Sequence, residues 1–122
     1  MIDVKIILSF IWVALMLCYL LGDVMRIFAG DFEPGKLEGK PMSHKVYFGF
    51  TIIMVIPIVM VVLSLILDYP LNSWVNIIVA IFFFGFNLIG MKGYKSYDIF
   101  LLIVSFVFNG LTVWYALTRL LL

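Results

Sequence analysis

The sequence predicts an all-α membrane protein, an up-down-up-down bundle of four transmembrane helices, and three observations carry that expectation. First, 66% of the 122 residues are apolar and only 12% are charged, with a mean hydropathy of +1.23, whereas soluble domains average about 25% charged residues. Second, the apolar residues fall into stretches near 6–28, 46–67, 72–91 and 99–118, each close to the ~20 residues that a helix needs to cross hydrocarbon. Third, most of the links between them are short, which makes consecutive helices antiparallel neighbours. The reading is one domain over residues 1–122, with no internal repeat. A β-barrel would require apolar and polar residues to alternate, and no such alternation is present.

The first span begins after Lys5. Its apolar run from Ile6 to Gly22 exceeds the roughly 7–15 residues of a signal-peptide core, and Asp23 and Arg26 stand where a cleavage region would be neutral. It therefore reads as a retained helix. Residues 29–45, AGDFEPGKLEGKPMSHK, form the one sizeable polar segment, punctuated by Pro34, Gly35, Gly39 and Pro41 against regular structure. Val46 to Leu67 carries no charge. Its many Ile and Val residues do not argue for a strand, because an open strand in lipid would leave backbone groups unpaired. DYPLN at 68–72 is a tight turn, and KGYKSYD at 92–98 is a short link into the fourth span.

Basic residues set the expected orientation. Arg26, Lys36, Lys40, Lys45, Lys92 and Lys95 lie on the side of the first and third loops, against Lys5 and Arg119 on the other side. The positive-inside rule then puts loops 29–45 and 92–98 in the cytoplasm and both termini outside a cell membrane. Trp12, Trp74 and Trp114 fall toward the opposite face, where indole rings suit the headgroup layer.

Polar residues inside membrane helices are costly, and their spacing shows which face turns inward. On the first helix Ser9, Trp12, Met16, Tyr19, Asp23 and Arg26 recur at steps of three and four, and so share one side. Asp23 has two readings, a helix-end ion pair with Arg26 or a proton or cation site. Pro57 is either an ordinary membrane proline or a hinge that opens a cavity. Asn76 and Asn87 share a face of the third helix, while Asp98, Ser105, Asn109, Thr112 and Ala116 form a stripe on the fourth. Such amides either dock helices through hydrogen bonds or line a site. Gly85, Gly90 and Gly110 are expected to permit close helix approach.

What is missing narrows the function. A net charge of +1 gives no basic field for nucleic acid. Cys18 has no partner in its own chain, and His44, the single histidine, suits an interfacial position beside Lys45 and Tyr47. No metal cluster, cofactor motif, catalytic triad or phosphate loop is read, so the sequence leans away from an enzyme and calls for no cofactor.

The segment IPIVMVVLSLILDYPLNSWVNIIVAI at 56–81, Trp12 followed by YLLGDV at 19–24, and VWYA at 113–116 resemble a family of small bacterial and archaeal four-helix membrane proteins of unknown function. The chain departs from that pattern at Ser73, where the family carries a basic residue. The resemblance implies the fold and supplies no activity. In size and layout the chain is also similar to small multidrug resistance transporters, whose first helix carries a central glutamate. Here no span contains Glu, and Asp23 would be a displaced substitute.

The expectation is an integral membrane protein whose polar interior binds or passes a small solute or lipid-like ligand, with Asp23, Tyr19, Asn87 and Asn109 lining it. Its rival is a non-catalytic membrane subunit or assembly factor. The expected partners are the bilayer and either a second copy or another membrane protein.

Overall fold

Two of the helices begin at a single side chain that caps them. The computed structural model describes residues 3–30, 36–37, 40–41, 43–89 and 95–121. Helix α1, Val4–Phe28, begins where the Asp3 carboxylate accepts the Lys5 amide at 2.9 Å. That bond satisfies one of the donors a helix start leaves unpaired. The helix stops at Ala29 and Gly30, the latter at φ 77°, a left-handed conformation that glycine adopts without steric cost.

In the polar segment, β1, Lys36–Leu37, pairs antiparallel with β2, Lys40–Pro41. Residues 31–35, 38–39 and 42 of that segment, together with Gly90 and Lys92, lie outside the described residues. Helix α2, His44–Ile66, is capped by Ser43, whose hydroxyl accepts the Val46 amide at 3.3 Å. His44 and Lys45, read from sequence as the end of the loop, therefore form its first turn. Helix α3 is Leu71–Ile89 and α4 is Ser96–Leu121. Because α4 starts at Ser96, Asp98 belongs to its first turn rather than to the connection.

All four helices are long and apolar enough to span a membrane. At about 1.5 Å per residue, the 19 residues of α3 reach about the 30 Å of a hydrocarbon core. Their directions alternate. Lys5 at the start of α1 meets Asp68 beyond the end of α2, and Arg26 near the end of α1 meets Asp98 near the start of α4. Trp12 and Tyr19 reach across to Asn76 and Asn87, in the same order along α3.

The core is built on α1. Ile11, Trp12, Leu15, Met60, Ala80 and Phe83 form its main cluster. The Phe83 ring meets Trp12 edge-on at 6.2 Å and stacks on Tyr19 at 6.0 Å. Trp12 is thus a central core residue and not a headgroup anchor as its position along the chain suggests, whereas Trp74 and Trp114 are exposed. Pro57 is fully buried, so its ring packs within the bundle.

Gly85 and Gly110 also depart from expectation, since an added Cβ at either would meet nothing within 4 Å. The glycine against which the structure closes is Gly22, where such a carbon would lie 3.4 Å from the Arg26 guanidinium and 3.8 Å from Leu101. The outer faces of all four helices carry large exposed apolar side chains, as a lipid-facing surface requires.

Candidate functional site

The polar side chains of the bundle interior segregate into levels along its length. At the level of Trp12 the groups are mutually satisfied. The Trp12 indole donates to Asn76 Oδ1 at 2.7 Å, and the Ser64 hydroxyl donates to the same oxygen at 3.2 Å. Asn76 Nδ2 donates to the Asn72 carbonyl at 2.9 Å and to Asn72 Oδ1 at 2.8 Å. Asn72 Nδ2 in turn donates to the Ser64 and Leu67 carbonyls at 2.8 and 3.0 Å. These carbonyls belong to the end of α2, which a helix leaves without internal partners. Every hydrogen-bonding capacity of the Asn76 amide is used. The network joins α1, α2 and α3 around the tight turn, and the Ser9 hydroxyl adds a bond to the Val61 carbonyl at 2.9 Å.

About two turns farther along α1 lies a less complete group. Asn87 Nδ2 donates to the Tyr19 hydroxyl at 2.8 Å. Asn109, 2% exposed, faces that hydroxyl, yet neither its amide nitrogen nor its oxygen has a hydrogen-bond partner of good geometry. The Ser105 and Thr112 hydroxyls offer it nothing, because they donate to the Leu101 and Phe108 carbonyls of their own helix. Tyr19, Asn87 and Asn109, predicted separately on three helices, are thus brought to one place.

Asp23 is not there. It lies one turn beyond Tyr19 with its side chain 60% exposed, held by Arg26 at 3.1 Å. The buried carboxylate at this end is Asp98, 5% exposed, which accepts from Arg26 Nε at 2.9 Å. Arg26 therefore ties the end of α1 to the start of α4, with both carboxylates as partners. Sequence reasoning placed Asp98 on the inward stripe of α4 without singling it out. Its spacing of seven from Ser105 and eleven from Asn109 was the signal available. Asn72 was missed as a turn residue, and its signal was that it stands four residues before Asn76 on one helix face.

At the opposite end, Tyr69 in the α2–α3 turn lies beneath two cations. Lys5 Nζ is 5.5 Å and the Arg119 guanidinium carbon 4.6 Å from its ring centroid. Burial, reinforced by the Asp3 carboxylate and opposed by Arg119, pushes the Tyr69 phenol above its ordinary value. Among the described residues no three metal-ligating side chains converge.

A family model for proteins of unknown function, DUF6326, matches residues 3–118. The chain belongs to the DUF6326 family. No match was found among the curated proteins or among the solved structures. Membership agrees with the expected small four-helix protein of unknown function, whereas the likeness to small multidrug resistance transporters gains no support from these comparisons. For this DUF6326 member the candidate site rests on its own geometry.

Proposed function

We propose that this DUF6326 member is an integral membrane protein that binds a small uncharged polar group, carried by a solute or a lipid-like molecule, at Tyr19, Asn87 and Asn109. The observation that carries the reading is the unpartnered Asn109 amide. Leaving a buried polar group unsatisfied costs about 1–3 kcal/mol, and a ligand that both donates and accepts would remove that cost. Amides and a phenol supply the hydrogen bonds, while the ion pairs among the described residues lie toward the ends of the bundle, so the chemistry suits a neutral carbonyl or hydroxyl better than a cation. Asp23 then serves as the outer partner of Arg26. The fully buried Trp12–Asn76 pair stands between the Tyr19 group and the Lys5 end, which favours a bound ligand over a solute passing through. Orientation by the positive-inside rule places the Asp98 end on the cytoplasmic side.

Native mass spectrometry of protein gently extracted from its own membrane tests this. The wild type is expected to retain a reproducible small molecule that Asn109→Leu loses. No adduct, or one that survives the substitution unchanged, overturns the reading.

One observation favours the rival, a non-catalytic membrane subunit. Among the described residues of α2 none before Pro57 is buried, and an apolar groove of about 430 Å³, lined by residues including Thr51, Val55, Met60 and Val79, runs between α2 and α3. Reproducible co-purification of one other membrane protein would shift the assignment to it.

A further inference from the structure

The end of the bundle that is poor in basic residues uses both of them at one place. Lys5 comes from the first turn of α1 and Arg119 from the last turn of α4, and both converge on the Tyr69 ring. Lys5 has a carboxylate partner in Asp68 at 3.5 Å. Arg119 makes no ion pair among the described residues, unlike Arg26 at the other end, which has carboxylates on two sides. The Tyr69 hydroxyl beside Arg119 is buried and has no hydrogen-bond partner of good geometry. The Asp3 carboxylate acts on the Tyr69 phenol without forming an ion pair with Arg119, so an exposed guanidinium without an ion pair and a phenol proton without an acceptor leave a place for anionic oxygens.

What lies at this level of the molecule is set by the spans. Tyr69 sits in the turn between two membrane-length helices, so it falls at the lipid headgroup layer. Trp74 and Trp114, exposed on α3 and α4, are residue types that mark that layer. The anion most abundant there is the phosphate of a phospholipid. Its oxygens accept from a guanidinium fork and a phenol together, and its acyl chains would lie along the apolar outer faces of α1 and α4.

We infer that Arg119 and Tyr69, with Lys5 beside them, bind the phosphate of a membrane phospholipid headgroup. The site is separate from the Tyr19 group, and its inference does not depend on the function proposed above. The phenol, held above its ordinary value chiefly by burial, stays protonated at neutral pH and remains a donor.

The test is native mass spectrometry of the full chain from nanodiscs containing equal amounts of phosphatidylglycerol, phosphatidylethanolamine and a glycolipid without phosphate. The wild type is expected to retain phospholipid and not the glycolipid. Arg119→Gln, a change at an exposed position, should weaken retention by about tenfold, as expected for the loss of a charge-assisted bond. Tyr69→Phe should weaken it less, and Arg119→Lys should keep part of it. Melting of Arg119→Gln at the wild-type temperature shows that the variant is folded. If melting falls instead, Arg119→Lys and Tyr69→Phe decide, and wild-type retention in both overturns the inference. Equal retention by wild type and folded Arg119→Gln overturns it too, as does retention of the glycolipid alongside the phospholipid. Displacement of all bound lipid by millimolar inorganic phosphate would make the site one for free phosphate and overturn the lipid assignment.

Discussion

The Trp12–Asn76 network and the Tyr19–Asn109 group are built from the same kinds of side chain on the same helices, yet only the first is complete. In the network, the Asn76 amide has a partner for each of its hydrogens and two donors to its oxygen. In the group, Asn109 is equally buried and has neither. Polar atoms that satisfy one another hold helices together. A polar atom left over at the same depth marks a position where something else belongs. The difference separates a structural staple from a candidate site without any appeal to residue type.

The comparison breaks most readily at Asn76. Asn76→Leu would strand the Trp12 indole, the Ser64 hydroxyl and Asn72 Oδ1 together, and stability should fall by about 3 kcal/mol, read as an earlier melting transition in detergent. Asp98→Asn probes an ion pair instead. It removes the buried charge that holds Arg26, whose side chain is 30% exposed, and because water can reach that guanidinium the loss should be about 1–2 kcal/mol. Asn109→Leu should do the opposite of Asn76→Leu. With its amide already unpartnered, the apolar replacement should leave stability within about 1 kcal/mol of the wild type or raise it, while abolishing the retained ligand. A large destabilisation by Asn109→Leu would mean that the two groups are alike, and the distinction would fall. The smallest effect is expected at Gly85→Ala and Gly110→Ala. Nothing lies within 4 Å of the added carbons, so helix propensity alone should raise melting slightly, by at most about 1 kcal/mol.

Much of the fold was legible because hydropathy reports length. The apolar stretches located the four spans, and the short links made their directions alternate. Radial position was harder to read. Trp12 was assigned to the headgroup layer from its place along the chain, but an indole also sits at mid-depth when an inward-facing acceptor is available, and that acceptor, Asn76, is 64 residues away. The two carboxylates are hard to tell apart for a related reason. Asp23 lies inside a span by sequence and Asp98 at the edge of one, yet α4 begins early enough to carry Asp98 inward while Asp23 turns outward. The periodic stripes identified Tyr19, Asn87 and Asn109 singly. Their meeting at one level depended on helix register across the bundle, which periodicity within one helix does not contain.

The helices are unequal in length, at 25 and 26 residues for α1 and α4 against 19 for α3. A rigid bundle presents one hydrophobic thickness to the surrounding lipid, and its shortest member limits that thickness. The longer helices must therefore lean or extend beyond the hydrocarbon, and a thick bilayer would have to thin around α3. Helix length thus gives the molecule a preference among membranes, and bilayers of graded acyl-chain length would rank its stability by that mismatch.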